Sequence, residues 1–378
     1  MTDVATTKTP GRFGRLYQGL TTIDFVGRRK VWFSVSIAII VIGLCSLGIR
    51  GFNLGIDFKG GSSWEVQATH SSVSAMTTAV TNAGLNQPVV EKLGSSTYQV
   101  SANINNLSQG AQVAETTKVV NAMATAAGVS PVQVSTASVG PTWGGQVTNR
   151  AIEALLAFFV AVVAYISFRF EPKMALAAFI AMLHDLLVTV GVYSIFGFQI
   201  TPDTVIAILT ILGYSLYDTV VVFDRVRDNT GGILKTGTMT YAEMVNLSMN
   251  QTLARSINTS LVAILPVLSV LLVGADLLGA TTLQNYGLAL FVGLVSGAYS
   301  SIFIASPLLA MMKEREPRFK ELAARVASKG EHKAFSAASA ALLGSEGLQR
   351  VSGVTNAAGA QRPDGSVITP RPRKQKRR

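Results

Sequence analysis

A run of 20 mostly apolar residues, Thr204 to Phe223, restricts the fold most strongly, because it has the length of one bilayer crossing. One acid, Asp218, lies inside this run, about two-thirds of the way along it. A carboxylate in hydrocarbon costs at least about 2.5–3.5 kcal/mol, so it persists only with a partner, water or a proton. The position of Asp218 therefore favours a working group over a purely structural one.

Further apolar runs predict a mainly α-helical membrane protein with six transmembrane helices. Of all residues, 49% are hydrophobic and only 14% are charged. The first run along the chain, 31–49, is longer than the apolar region of a signal peptide, and no small-residue cleavage site follows it. We therefore interpret it as a retained span. The other five runs besides Thr204–Phe223 lie at 31–49, 151–168, 174–196, 257–273 and 286–312.

The distribution of charge predicts the orientation of these spans. Residues 1–30 contain six Lys and Arg against two acids, and the tail from residue 313 contains fifteen against six. Residues 51–149 contain three against four. Because basic residues favour the cytoplasmic side, we expect both termini in the cytoplasm and residues 51–149 outside. The net charge of +11 reflects this asymmetry and does not indicate a specific nucleic-acid partner.

The outer segment has the pattern of a small α+β domain. Its predicted order β-α-β-β-α-β is that of a ferredoxin-like unit. A passive plug and a surface that binds an extended polypeptide at a sheet edge are both compatible with this fold. The predicted strands are 62–69, 88–93, 97–102 and 131–139, and the predicted helices are 73–84 and 109–127, with Val113, Val119, Val120 and Met123 on the apolar side of the second helix.

Five segments follow from these patterns. Within the membrane bundle, 225–254 is predicted to be a cytoplasmic loop, and its apolar stretch 240–253 is amphipathic enough to lie on the membrane surface. The basic tail has the composition of a disordered segment that attracts anionic lipids. The segments are a basic cytoplasmic N-terminus (1–30), the first span (31–49), the outer domain (50–149), a five-span bundle (150–312) and the tail (313–378).

Two other polar positions in the spans are candidates for function. His184 and Asp185 lie at the middle of the third run, where the pair either relays protons or ties the third span to the fourth. Arg255 opens the fifth run. It either extends to the cytoplasmic interface or reaches a carboxylate on a neighbouring span and favours its ionised form.

Glycines form two further motifs. Asp57, Gly60 and Gly61 follow the first span, where the glycines suit a helix-exit turn. Gly293 and Gly297 begin a seam of small residues spaced four apart on the last span, which predicts close helix packing. Cys45 is the only cysteine, and no phosphate-binding loop, metal-binding motif or catalytic triad is present. We therefore expect no enzyme activity, no metal and no cofactor.

Five stretches of the sequence carry a resemblance to a known family: GYSLYDTVVVFDRVRDN, NLGIDFKGG, Val139-Gly140-Pro141, HDLLVTVG and QTLARSINTSL. Together they resemble the SecF family, whose members are subunits of the bacterial SecD–SecF protein-export complex. The resemblance covers residues 31 to about 312 and implies six spans with one ferredoxin-like outer domain.

The resemblance also implies a function. It suggests a multi-pass protein of the bacterial cytoplasmic membrane that pairs with SecD beside the SecYEG channel and uses the proton gradient to help export preproteins that SecA has pushed in. The family's membrane acid corresponds to Asp218, and its arginine corresponds to Arg255. Two alternatives remain: half of a proton-driven solute exporter of the related resistance-nodulation-division group, and an assembly subunit that conducts no protons.

Overall fold

Within the described residues, six helices are long and apolar enough to cross a membrane, which confirms the predicted architecture. A computed structural model of the chain describes residues 16, 21 and 23–328, except for 237–238 and 278–280. Each candidate span has a mean hydropathy of at least 1.9 over its most apolar stretch. The first to sixth spans are Arg29–Arg50, Thr142–Arg169, Pro172–Phe196, Pro202–Gly231, Tyr241–Gly274 and Leu283–Lys313.

Prolines and glycines mark several helix ends. Pro172 and Pro202 are each the first residue of a helix, where the missing N–H would have no intrahelical partner. Gly197 ends the third span in a left-handed conformation, with φ of 73°. The helices are Arg29–Arg50, Pro141–Arg169, Pro172–Phe196, Pro202–Thr236, Tyr241–Ser269, Thr281–Ser300 and Ser306–Lys313, with π-helical segments at Val270–Leu277 and Ser301–Ala305.

The third, fourth and sixth spans form the centre of the membrane part. Buried residues make up 44%, 39% and 56% of their apolar stretches, against 11% in each of the other three spans. The first span packs closely on the third, because a Cβ on Gly43 would lie 2.6 Å from the Cα atom of Gly191. These three spans therefore offer the most protein contact to polar side chains such as Asp185 and Asp218, which are 1% and 2% exposed.

The outer domain lies between the first and second spans and is a four-stranded antiparallel sheet with two helices. The strand order is β2-β3-β1-β4, as in a ferredoxin-like unit. A 3-10 turn at Pro131–Gln133 replaces the start of the predicted fourth strand. The elements are β1 (Gly61–Gln67), α1 (Val73–Asn82), β2 (Val89–Leu93), β3 (Thr97–Ala102), α2 (Gln109–Ala127) and β4 (Ser135–Val139).

The core of this domain packs the two helices on one face of the sheet. Trp64 of β1 and Tyr98 of β3 are almost fully buried, together with Val119 and Met123 of α2. Val113, predicted on the same apolar side, is 65% exposed. At 100° per residue it lies about 120° around the helix from Val119, outside the packed face.

The segment predicted as a cytoplasmic loop is instead largely helical. The fourth helix continues to Thr236, and the next helix begins at Tyr241. Thr240 and Glu243 form a capping box there: the Thr240 N–H donates to Glu243 Oε2 at 2.8 Å, and the Glu243 N–H donates to Thr240 Oγ1 at 3.3 Å. The T-x-x-E spacing in the sequence could have revealed this helix start.

The stretch 240–253 does not place its apolar side chains on a membrane surface, and that prediction is wrong. Tyr241, Met244 and Leu253 are at most 6% exposed. They belong to a compact unit that includes Arg225–Ala254 and the start of the tail. In that unit the rings of Tyr241 and Phe319 have centroids 4.5 Å apart. Protein packing therefore covers the apolar face that the sequence assigned to lipid.

The tail also begins with structure. A helix at Pro317–Ser328 buries Phe319, Leu322 and Val326, which recur along one helix face. The tail predicted to be largely disordered, 313–378, therefore contains a helix near its start. Its remaining part, 329–378, lies outside the described residues. Residues 1–15 of the basic N-terminus do so as well.

Candidate functional site

Asp218 lies buried among three spans, with its side chain held by hydroxyl groups. It is only 2% exposed. Ser256 of the fifth span donates from Oγ to both carboxylate oxygens, at 2.9 and 2.7 Å. Ser301 of the sixth span donates to Oδ2. A carboxyl group at membrane depth is thus satisfied by neutral donors from two neighbouring helices.

Arg255 does not contact Asp218 in this structure. Its side chain is exposed, and among the described residues it forms no ion pair. Successive residues of an α-helix point about 100° apart, so the fifth span can direct only one of two neighbours at the same acid. That neighbour is Ser256. The helix turn that the sequence indicated supplies the partner of Asp218 in this conformation, but through Ser256. A contact between Arg255 and Asp218 in another conformation stays a prediction.

Asp185 forms a second buried acid site in the third span. It is 1% exposed and accepts a hydrogen bond at 2.5 Å from Ser215 of the fourth span. Ser296 and Ser300 of the sixth span donate to it at 2.8 and 2.7 Å. Nδ1 of His184 lies 3.1 Å from Oδ1 of Asp185. These contacts join three spans at one carboxylate.

The two acid sites meet on the sixth span. Ser300 donates to Asp185, and the next residue, Ser301, donates to Asp218. Ser301 begins the π-helical segment Ser301–Ala305, and such segments frequently occur at functional sites. The sequence analysis missed these serines as donors. The available signal was the four-residue spacing of Ser296 and Ser300 in an otherwise apolar run.

The predicted small-residue seam packs against the fourth span of the same chain. A Cβ on Gly293 would lie 2.2 Å from Cδ1 of Ile211, and a Cβ on Gly297 would lie 3.0 Å from Cβ of Ser215. The seam therefore also brings the fourth span close enough for Ser215 to reach Asp185. Ser301, a later member of the seam, acts as a donor to Asp218.

The glycine-rich stretch after the first span forms a short helix, Ile56–Lys59, that leads directly into β1. Gly60 and Gly61 have φ values of 72° and 138°, in a region that favours glycine. A Cβ on Gly61 would also lie 2.8 Å from the backbone oxygen of Ala102 on β3. The glycines of this turn are therefore required both by backbone conformation and by close approach.

Asp57 in this short helix is only partly buried. Burial raises the pKa of its carboxyl above the usual range, and the nearby charge of Asp203 raises it further, while a backbone hydrogen bond opposes the increase. Asp57 thus lies at the boundary of the membrane part, at a distance from the serine-held acids along the spans.

The residues before this short helix connect the outer domain with the membrane helices. The Gly55 N–H donates to the oxygen of Ile200 at 2.9 Å, and the Ile200 N–H donates to the oxygen of Asn53 at 2.8 Å. Nδ2 of Asn53 donates to Glu91 on β2 and to the oxygen of Gly197. Burial raises the pKa of Glu91 above its usual range. The sequence did not predict this connection.

Comparison with known proteins identifies the family. Residues 119–315 match the family described as "Protein export membrane protein SecD/SecF, C-terminal", and residues 46–71 match the "SecD/SecF GG Motif". The chain is 45% identical over 331 residues to "Protein translocase subunit SecF" of Streptomyces coelicolor, which covers 86% of this chain and 87% of that protein. The chain belongs to the SecF family. The predicted resemblance is confirmed.

Other SecF relatives and a solved structure agree with this assignment. A SecF protein of Mycobacterium tuberculosis is 42% identical over 322 residues, covering 82% of this chain and 73% of that protein. The crystal structure of SecDF from Thermus thermophilus, described as "a translocon-associated membrane protein", superposes with a TM-score of 0.67 at 30% identity. It covers 78% of this chain, which spans only 39% of the SecDF chain.

The SecF glycine motif corresponds to the connection described above. Its matched range, 46–71, includes the short helix, the positive-φ glycines Gly60 and Gly61, and β1. Among the described residues, no group of three or more His, Cys, Asp and Glu side chains could hold a metal ion. The chemistry visible in this SecF chain is that of isolated carboxyl groups and hydroxyls.

Proposed function

We propose that this chain works with SecD in the bacterial cytoplasmic membrane and uses the proton motive force to assist preprotein export. One observation carries the proton part of this proposal: Asp218 is buried at membrane depth and held by the hydroxyls of Ser256 and Ser301. A hydroxyl can donate to a carboxylate and can also accept from a carboxylic acid. The site is therefore compatible with both protonation states of Asp218, as a proton carrier requires.

The energy available from the gradient is sufficient for such a role. One charge that crosses about 100 mV releases about 2.3 kcal/mol. That free energy shifts a two-state equilibrium by about fifty-fold. We propose that the protein alternates between two conformational states, of which this structure is one. In the second state Arg255 would approach Asp218 and favour its ionised form. The gradient itself is the energy source, and no other cofactor is needed.

SecD is the partner best supported for this chain. The SecF chain spans 39% of the solved SecDF chain, so the remaining part of that relative supplies what a separate SecD subunit would supply here. We include the SecYEG channel and SecA as indirect partners, translocating preproteins as a directly contacted partner, and anionic lipids as partners of the basic tail. The role is that of an accessory transport subunit, not of an enzyme.

The two alternatives predict different results. A solute exporter would need its substrate path within the spans and would not contact preproteins. An assembly subunit would contact the export machinery but would not move protons. Contact between the outer domain and a preprotein would distinguish export from the solute-exporter alternative. Loss of proton-driven export in a variant of Asp218 would distinguish it from the assembly-subunit alternative.

We expect the outer domain to contact the exported chain through the edge strand β4. Residues 135–138 of this strand are exposed, and β4 pairs only with β1 within the described sheet. The free edge can hydrogen-bond an extended polypeptide. Photo-cross-linking amino acids at Thr136 and Ser138 should therefore capture a preprotein that is stalled during export. Matched positions on the outer face of α1, Ser74 and Thr78, should yield fewer adducts.

Adducts from β4 that exceed those from α1 would support a binding surface. Absence of adducts from every position would contradict this prediction and would favour the passive plug. Equal capture by β4 and α1 would indicate proximity without strand addition.

The predicted orientation is testable by thiol labelling. In a Cys45→Ser background, Ser95→Cys in the outer domain should react with a membrane-impermeant reagent added to intact cells, because residues 51–149 are expected outside. Asp228→Cys should react only after the cells are opened. Both positions are exposed, so failure to react reflects the membrane side and not burial. The reverse labelling pattern would contradict the orientation.

A further inference from the structure

Asp185 occupies a built polar site that the proposed role of Asp218 does not use. Three serine hydroxyls from two other spans donate to its carboxyl oxygens at 2.5–2.8 Å. Hydrogen bonds from Ser215, Ser296 and Ser300 stabilise the ionised carboxylate in a low-dielectric environment, and the same hydroxyls can accept a hydrogen bond from the protonated acid.

His184 adds a second titratable group at the same place. It is 7% exposed, and its Nδ1 lies 3.1 Å from Asp185. Its ring stacks on Tyr299, with centroids 6.1 Å apart. Within the described part of the chain, the buried Nε2 atom has no hydrogen-bond partner. An imidazole with one nitrogen in a polar contact and the other without a partner can take up a proton on the second nitrogen and release one from the first.

The site is connected with Asp218 through one short segment. Ser300 and Ser301, whose Cα atoms are about 3.8 Å apart as neighbours in the chain, donate to Asp185 and Asp218 respectively. Ser215, a donor to Asp185, precedes Asp218 by three residues and so lies on the same side of the fourth span. A change in the charge of either acid therefore acts on hydroxyl donors that are adjacent to the other.

We propose that His184 and Asp185 form a second proton-binding site, linked to Asp218 by the adjacent serines 300 and 301. A proton binds to the free Nε2 atom, and the proton on Nδ1 passes to the Asp185 carboxylate, so that the imidazole ends neutral and the acid ends protonated. The site stands on its own geometry. Only its coupling to Asp218 rests on the proposed function.

The surroundings allow this exchange without a fixed counter-ion. The titratable side chains that face the site are Tyr299 of the sixth span, in contact with His184, and Asp218 of the fourth, behind the adjacent serines. Tyr214 and Tyr217 are the other titratable side chains on that part of the fourth span, and Tyr217 is 52% exposed. The charged residues of the first span lie only at its ends. Two carboxylates that accept from adjacent hydroxyls in a low dielectric disfavour simultaneous ionisation, so a proton on one affects the other.

Infrared difference spectroscopy of the full chain in lipid nanodiscs tests the proposal. Spectra recorded across a pH series should contain two carbonyl bands of protonated buried carboxyls. Asp185→Asn should remove one band and Asp218→Asn the other. Each substitution should also change the pH at which the remaining band appears. Ser300→Ala should move the midpoint of the Asp185 band by about one pH unit, the size expected for one hydrogen bond to a charged group.

The role of His184 has its own readout. His184→Gln keeps a polar side chain but removes the second titrating nitrogen. It should slow hydrogen–deuterium exchange at the Asp185 carboxyl, measured from the isotope shift of its band, by about 100-fold. A merely structural histidine would leave this rate unchanged. Ser194→Ala is the matched control, because Ser194 is a buried serine of the same span that bonds Ser46 and not an acid.

The outcomes separate the two proposals. A band that is lost in Asp185→Asn and varies with pH supports the second site, whether or not Asp218 titrates. A spectrum that Asp185→Asn and Ser300→Ala leave unchanged overturns it, even if Asp218 titrates as proposed. Titration of Asp185 with an invariant Asp218 would instead overturn the proposed role of Asp218.

Discussion

Asp218→Asn should abolish the gradient-dependent part of preprotein export while the ATP-driven part continues. Asparagine has nearly the same shape and can still accept hydrogen bonds from Ser256 and Ser301, so the helices should assemble. It cannot bind or release a proton at neutral pH. The stimulation by a 100 mV gradient, up to about fifty-fold per proton, should therefore disappear. The measurement is preprotein transport into inverted membrane vesicles with ATP, with and without the gradient.

The matched control for this variant is Asp203→Asn, the same substitution in the first turn of the same helix. It should retain the response to the gradient. Arg255→Ala should lose the response as Asp218→Asn does, although Arg255 is exposed in this structure, because its proposed contact belongs to the second state. A normal gradient response in Asp218→Asn would refute the proton proposal and would make Asp185 the next candidate.

Gly293→Leu should prevent correct assembly of the membrane part. The first added carbon alone would lie 2.2–2.7 Å from three side-chain atoms of Ile211, which is itself buried, at 2% exposed. Overpacking of a close helix contact typically costs about 1–3 kcal/mol, and more where the backbone must separate. We expect a strongly reduced yield of folded protein and a lower Tm in detergent.

Gly213→Leu provides the control, since it adds the same side chain to a neighbouring span where no atom lies within 4 Å of the new Cβ. It should leave yield and Tm close to those of the natural sequence. Gly297→Leu should give a further distinction. Its Cβ would press on Ser215 at 3.0 Å, so this variant should disturb the contact with Asp185 as well as the packing. Normal assembly of Gly293→Leu would mean that the two spans are not held together at this seam.

Local patterns in the sequence were sufficient for the outline of the fold. The six spans follow from the length of uncharged runs, and the outer domain follows from alternation and helical spacing over short stretches. The helix Gln109–Ala127 has the bounds that were predicted for it. These features depend on residues close in the chain. The burial of Tyr241 and its neighbours depends instead on residues distant in the chain. For this stretch the amphipathic pattern predicted contact with lipid, whereas in the structure other protein residues cover it.

The sequence by itself also located both acids, because a charge within an apolar run is visible without any knowledge of neighbouring helices. Only the tertiary structure decided what each acid contacts. Ser256, and not the adjacent Arg255, faces Asp218, because a helix turns about 100° per residue and its rotation is set by packing against other spans. Likewise Ser300 and Ser301 reach two different acids only because the sixth span contacts both the third and the fourth. Hydroxyl donors far apart in the chain carry no sequence signal of their partners until the helices are assembled.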